Sequence, residues 1–300
     1  MLEIGDIIRT GRMAGKMCQE ELSFGICSTS SLSRIENGEQ IPYRVTYEQL
    51  MERLGLSPEI FPSFRNEREL EAYRLKHEIN QLCIMEKFEQ VKPLLEVMKS
   101  IPQLERADRH FIEFADVLIL QWSGACPNDV LQANITVAKK TVKEISPNKI
   151  QFQALSRFDL SVLNNLAISH YNAGGHEYGI ELLQALIDYI ERKVVDDEGI
   201  SSLYTNILNN LTNWIGLKGH HVEVINLCEK GINRCIEFGT YFSFGALLFN
   251  KGYALVMLNR KEEARKYIQE AFYINRARNK DGLCDIIRSF AAEHDIMLGE

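Results

Sequence analysis

Residues Ile26-Cys27-Ser28-Thr29-Ser30-Ser31-Leu32-Ser33-Arg34-Ile35-Glu36-Asn37-Gly38 decide the fold. Ser28 is placed to cap a helix, its hydroxyl accepting a backbone N–H from the first turn. Leu32 and Ile35, with Cys27 just ahead of the helix, supply apolar contacts on one side. Asn37-Gly38 ends the helix with residue types that tolerate a left-handed backbone. The other face carries Thr29, Ser30, Ser33 and Arg34, three short hydroxyls and one guanidinium. Such a surface suits a nucleic-acid groove, where hydroxyls and Arg reach base edges and phosphates without steric bulk.

The flanking residues extend the pattern in both directions. Ile4, Ile7, Ile8 and Met13 predict a first amphipathic helix, with Arg9, Arg12 and Lys16 on its other faces. Gln19-Glu20-Glu21-Leu22-Ser23-Phe24 predicts a short second helix, and Gly25 sits where the chain must turn sharply. Pro42 ends a linker, after which Val45, Leu50, Leu54 and Leu56 predict a closing helix. Helix, short helix, tight turn, polar-faced helix and closing helix are the layout of a helix-turn-helix module whose second motif helix enters the major groove.

Gln19-Glu20-Glu21-Leu22 followed by Ser28, Leu32-Ser33-Arg34-Ile35-Glu36-Asn37-Gly38 and Pro42 resembles the Xre/Cro-type helix-turn-helix family. The Ile26-Cys27 pair is similar to the Rgg/PlcR subgroup of bacterial regulators. This resemblance implies that Gln19 lies near DNA phosphate and that Thr29, Ser30, Ser33 and Arg34 lie at the groove, with Ser28 at the capped end. It also implies a structural, buried or capping role for Glu36. Residues 1–66 hold seven Lys/Arg against nine Asp/Glu. Phosphate neutralisation supplies most non-specific affinity, so this module is expected to bind generic DNA poorly. Dimerisation on a two-fold operator in double-stranded DNA compensates, because linked sites multiply modest affinities. A homodimer is therefore expected.

The remaining composition is that of an ordinary globular chain, with 45% hydrophobic and 25% charged residues and a net charge of −7. No apolar run approaches the ~18 residues of a membrane span, and the first helix leaves no room for a signal peptide. No membrane association and a cytoplasmic location are expected. The seven cysteines lack any Cys-x-x-Cys pairing and read as free thiols, not as a metal or redox site. No Ser/His/Asp set, Walker loop or G-x-G-x-x-G is present, so neither an enzyme nor a cofactor is expected. Seven prolines in 300 residues, with few β-branched alternations, point to helix nearly throughout.

From about residue 67 the sequence falls into helix pairs. The clearest runs from Phe158 through Leu163-Asn164-Asn165-Leu166-Ala167 and Tyr171 to Gly174-Gly175, then through Tyr178 and Leu182-Leu183. A second copy is Leu208-Asn209-Asn210-Leu211, Trp214, Gly219 and Val224-Ile225. A third is Leu248-Phe249-Asn250-Lys251-Gly252-Tyr253-Ala254 with Glu262-Glu263-Ala264. Aligned on Asn165, Asn210 and Asn250, the copies lie 45 and 40 residues apart, longer than the tetratricopeptide period of about 34. Weaker pairs span Glu69 to Lys99 and Arg106 to Val142, and Leu283 to Met297 reads as a terminal capping helix.

The fold class expected is all-α: a five-helix helix-turn-helix domain at 1–65, then a tetratricopeptide-like, right-handed helical-hairpin solenoid at 66–300 with about five pairs and a cap. In such a solenoid the first helix of each pair lines a concave groove. Asn165, Asn206, Asn210, Asn213 and Asn250 stand on those first helices. A carboxamide both donates and accepts, so a ladder of them suits gripping an extended peptide backbone. Trp214 and Tyr171, with Phe242 and Tyr253, are candidates for holding the peptide's apolar side chains. The same asparagines are also suited to capping turns or bonding between helices.

Together the halves resemble the Rgg/PlcR-type regulators of Gram-positive bacteria. That resemblance implies a dimeric transcription regulator whose repeats bind a short signalling peptide and thereby reposition the DNA-reading heads. Two rivals stay open. In one, the repeats bind a protein partner in place of a peptide; in the other, the head is a degenerate adaptor for protein contact.

Overall fold

The computed structural model describes residues 4–56, 66–85, 87–193 and 198–298. All regular structure among them is helical. The first four helices are α1 (Ile4–Ala14), α2 (Gln19–Ser23), α3 (Thr29–Glu36) and α4 (Arg44–Arg53). Residues 57–65, the end of the expected five-helix head, lie outside the described residues. Then follow α5 (Glu67–Ile84), α6 (Phe88–Ser100), α7 (Arg106–Trp122), α8 (Pro127–Thr141), the single turn α9 (Pro147–Ile150), α10 (Arg157–Asn172) and α11 (His176–Lys193). The chain closes with α12 (Glu198–Leu217), α13 (His221–Phe238), α14 (Phe244–Met257), α15 (Lys261–Ala277) and α16 (Asp281–Glu293). Apart from α9, the described helices behind the head are five pairs and a terminal helix, and α5 to α8 lie within a few residues of the spans read from the sequence. Among the described residues no helix is long and apolar enough to cross a membrane.

The chain packs as two units, Met1–Leu182 and Leu183–Glu300. In the first, Ile8, Leu22, Ile26, Cys27, Leu32, Ile35, Tyr47, Leu50 and Met51 close the core of the head. A second core gathers Ile79, Val91, Leu95, Met98, Phe111 and Ile112 from α5, α6 and α7. In the second unit α12 to α16 pack in sequence, each against the next.

Three expectations for the head need correction. Met13 is 64% exposed, because it lies at the end of α1 beyond the reach of the core. Leu56 falls after α4 and is exposed, so it does not extend the closing helix. Arg12, expected on a solvent face, is buried. It stands one turn after Ile8 on the same stripe, as the helical period requires. Its Nε and Nη2 donate to the two carboxylate oxygens of Glu36 at 2.6 and 2.8 Å, and its Nη1 donates to Met17 O at 2.9 Å. This fork-on-carboxylate pair ties the end of α1 to the end of α3.

A second buried cation joins the head to the helices behind it. Arg53, at the end of α4, donates to Leu22 O at 3.2 Å and Phe24 O at 2.5 Å. Its Nη2 reaches Asp159 Oδ2 at 2.6 Å, with both side chains 2% exposed. Asp159 also accepts from the backbone N–H and hydroxyl of Ser156, at 2.8 and 2.9 Å, in the capping box that begins α10. Glu52 adds a contact to the same place by accepting the Arg157 N–H at 3.0 Å. Gly25, with φ +76°, makes the turn between α2 and α3. A Cβ there would lie 2.7 Å from Thr141 Cα, so the turn rests directly on the end of α8.

Replacing Arg53 by Met strands the Asp159 carboxylate in the interior. The expected loss is about 3–5 kcal/mol, the usual consequence of breaking a buried pair from one side. Urea unfolding measures it, and adding Asp159→Leu is expected to restore part of the loss. Acid titration tests the other pair. Burial raises the Glu36 carboxyl, but the hydrogen bonds from Arg12 and Gln19 outweigh burial and hold it below the ordinary value of 4.5. A depressed folded-state value gives stability that is present above 4.5 and lost as pH falls through the folded value. Thermal unfolding between pH 3 and 7 is expected to show that acid loss in the wild type and a smaller one in Glu36→Gln.

Candidate functional sites

The helix α3 is built as its sequence predicts. Ser28 Oγ accepts the Ser31 N–H at 3.0 Å, which caps the first turn. Leu32, Ile35 and Glu36 are buried, while Thr29, Ser30 and Arg34 are exposed and Ser33 is half-buried. Ser28 Oγ also lies 3.0 Å from Ser30 Oγ and 2.8 Å from Ser31 Oγ, and Thr29 Oγ1 lies 3.4 Å from Ser23 Oγ. Asn37 ends the helix in an ordinary conformation and Gly38 takes the left-handed one, φ +75°. The Arg34 guanidinium makes no ion pair among the described residues. The outcome is a row of hydroxyls and one uncommitted guanidinium over an apolar base.

Gln19 occupies the first position of α2, and its Nε2 donates to Glu36 Oε2 at 2.8 Å. One amide hydrogen is thereby committed to holding α2 against α3. Cys18 forms the cap of α2. Its Sγ accepts the Glu21 N–H at 3.4 Å, while its own N–H donates to Glu21 Oε2 at 2.9 Å.

The expected asparagine ladder divides between the two units and between two kinds of role. In the first unit Asn165 is 6% exposed. Its Nδ2 donates to Asn134 Oδ1 at 3.1 Å, Asn134 Nδ2 donates to Ser169 Oγ at 2.5 Å, and Ser169 Oγ donates to Asn165 O at 3.0 Å. This closed network joins α8 to α10 and spends the Asn165 donor inside the protein. Tyr171, half-buried, lies 4.5 Å from the His176 ring across the turn between α10 and α11.

In the second unit Asn250 Nδ2 donates to Thr212 Oγ1 at 3.0 Å and lies 3.3 Å from Asn209 Oδ1, which joins α14 to α12. Trp214 is 7% exposed and belongs to the interior, so it offers no open pocket wall. Asn210 Nδ2 donates to Asn206 Oδ1 at 3.1 Å one turn earlier, and both residues are half-buried. Asn213, one turn on, is exposed. Asn206, Asn210 and Asn213, with the equally half-buried Asn250, therefore form the part of the ladder that reaches solvent. Tyr253 packs 5.3 Å from Phe290, and Phe242 lies under Arg278 and Lys280 at 5.9 and 5.8 Å.

Besides Arg12 with Glu36, two more structural polar centres escape the sequence reading. Lys251, next to Asn250, is buried and donates to Glu229 Oε1 and Tyr267 Oη, each at 2.9 Å. Arg53 with Asp159 is the other. The pattern Ser156-Arg157-Phe158-Asp159 is a visible capping signal, but nothing in it announces a partner 106 positions away.

No family model matches the chain, and no curated protein matches it. Among solved structures it is similar to Bacillus thuringiensis PlcR in complex with the peptide PapR7 and DNA. The match has 16% identity and a TM-score of 0.65 over 95% of this chain and 98% of that one. The apo form of the same PlcR matches with 15% identity and a TM-score of 0.58 over 95% and 98% of the two chains. ComR from S. thermophilus, in complex with DNA and its signalling peptide ComS, matches with 17% identity and a TM-score of 0.53 over 98% and 100%. The chain thus has the all-helical fold of PlcR and ComR over nearly its whole length, as the resemblance in its sequence implied.

Proposed function

We propose that the chain is a DNA-binding transcription regulator whose helical repeats respond to a short signalling peptide. The observation that carries this is the surface of α3. Thr29, Ser30 and Arg34 stand exposed on a helix capped by Ser28 and anchored beneath by Leu32, Ile35 and Glu36. That is the arrangement a major-groove reader needs, with mobile polar tips on an immobile base. PlcR and ComR, captured with both a peptide and DNA, share the fold. Residues 1–65 are the DNA-reading part and 66–300 the sensing part, acting as a homodimer on a two-fold operator.

Within the repeats, Asn206, Asn210 and Asn213 are the residues we assign to the peptide. Asn165 and Asn250 hold helices together. Their commitment shortens the ladder and favours, as a second reading, a repeat surface that meets a protein partner.

Arg34→Ala is expected to lose about 1–3 kcal/mol of specific DNA binding if Arg34 reads a base. An equal loss on all DNA sequences, with a shallower salt dependence, makes it a phosphate contact. Fluorescence anisotropy with promoter DNA in 50 and 200 mM salt separates the two. For the repeats, Asn210→Ala is expected to weaken binding of peptides fractionated from spent culture medium while leaving unfolding nearly unchanged. Asn165→Ala is expected to lower stability by about 1–3 kcal/mol, because it leaves Asn134 unsatisfied. Unchanged peptide affinity in Asn210→Ala would move the assignment to the protein-partner reading.

A further inference from the structure

A cleft of about 290 Å³ opens between the helix-turn-helix and the segment that links α8 to α10. Met17, Glu21, Phe24 and Arg53 line it from the head, and residues 141–144, 149 and 152–155 line it from the other side. All of these belong to the first unit. The volume sits at the small end of the range for small-molecule sites, roughly 300–1,000 Å³. It admits a single ring with a substituent and excludes a folded segment or an extended peptide.

We propose that this cleft binds a small organic anion with a flat apolar body, such as an aromatic carboxylate. Three observations converge on that chemistry. The first is the apolar lining. Phe24, Val142 and Leu155 line the cleft together with Phe152, which stays 73% exposed. An aromatic ring left open to water beside a cavity gains by being covered.

The second is charge. The lining holds three cations, Arg53, Lys143 and Lys149, against two carboxylates, Glu21 and Glu144. Arg53 is paired with Asp159, and Glu21 is engaged in capping α2. Neither Lys143 nor Lys149 makes an ion pair among the described residues, and the Lys143 ammonium sits 5.6 Å from the centre of the Phe24 ring. The Lys143 ammonium also lies within the field of Glu21, whose carboxylate is already engaged in capping α2, so two ammonium groups without an ion pair leave the rim favourable to a single negative charge.

The third is an unmet need for acceptors. Thr141 and Arg53 line this same place, and just beneath its surface Thr141 Oγ1 and Arg53 Nε are buried with no hydrogen-bond partner among the described residues. Buried polar groups are nearly always satisfied, so such a pair beside a cavity marks where an acceptor belongs. A carboxylate, with four lone-pair sites, is suited to supply one. Binding here requires neither DNA nor a signalling peptide, so it is tested apart from the proposed function.

The probe is 4-fluorobenzoate, titrated with the full chain and followed by fluorine NMR, with 4-fluorobenzamide as its neutral counterpart. Saturable binding of the acid is expected, at least tenfold tighter than the amide. Lys143→Glu with Lys149→Glu, both on exposed positions, is expected to weaken the acid tenfold or more. Ala154→Phe, which fills the cleft, is expected to abolish binding, and Thr141→Ser is expected to retain more of it than Thr141→Val. Circular dichroism confirms that each variant is folded. Failure of the acid to saturate, equal binding of acid and amide, or undiminished binding to the folded Ala154→Phe variant each overturns the proposal.

Discussion

One guanidinium holds the head in place. Arg53 ends α4, and from that point it reaches two carbonyls at the end of α2, Leu22 O and Phe24 O, and one carboxylate at the start of α10. A lysine would supply one point charge where this position needs a planar fork that serves several acceptors at once. Such a pair is costly to bury and rarely a net source of stability, but it fixes geometry because few alternatives satisfy all its acceptors. Here the geometry fixed is that of the turn ahead of α3. The exposed side chains of α3 are therefore positioned from beneath by two charged pairs, Arg12 with Glu36 and Arg53 with Asp159.

The repeats solve a different problem by similar means. Their first helices carry asparagines on faces that are partly interior, where the carboxamide N–H groups need acceptors. The Asn165 amide donates to Asn134 Oδ1, and the amide of half-buried Asn250 donates to Thr212 Oγ1 and toward Asn209 Oδ1. Satisfying polar groups between helices restricts how those helices slide, whereas an all-apolar interface leaves more registers open. Asn206 and Asn210, both half-buried, bond to each other one turn apart on α12, and Asn213 is exposed.

The head was legible because its signals are local. A cap, an apolar pair and a glycine stop lie within thirteen consecutive residues, and each does in the structure what its chemistry suggests. The helix pairs were legible for the same reason, with glycine and proline marking the turns. What escaped the sequence was partnership at long range. Arg12 reads as a surface cation until Glu36 is seen beside it, although its place one turn after Ile8 puts it on the buried stripe. Met13 reads as apolar and therefore interior, but the helix outlasts the core there. The asparagine register was visible. Whether a given amide faces a groove or a neighbouring helix was not, since that depends on what packs above it.

The contact between Gly25 and Thr141 bears on how such a chain can be taken apart. The motif turn and the end of α8 approach so closely that no side chain fits between them, and Arg53 loses its carboxylate if α10 is removed. The head is thus not a detachable cassette, in spite of its recognisable sequence. Grafting it onto foreign repeats would require carrying along its seat, Thr141 at the end of α8 and the Ser156–Asp159 cap of α10. Exchanges of the head between relatives of this fold would then be constrained to preserve a socket 88 positions downstream, measured from Arg53 to Thr141. Recombination would meet its barrier at that socket, not at the linker where the sequence suggests a clean cut.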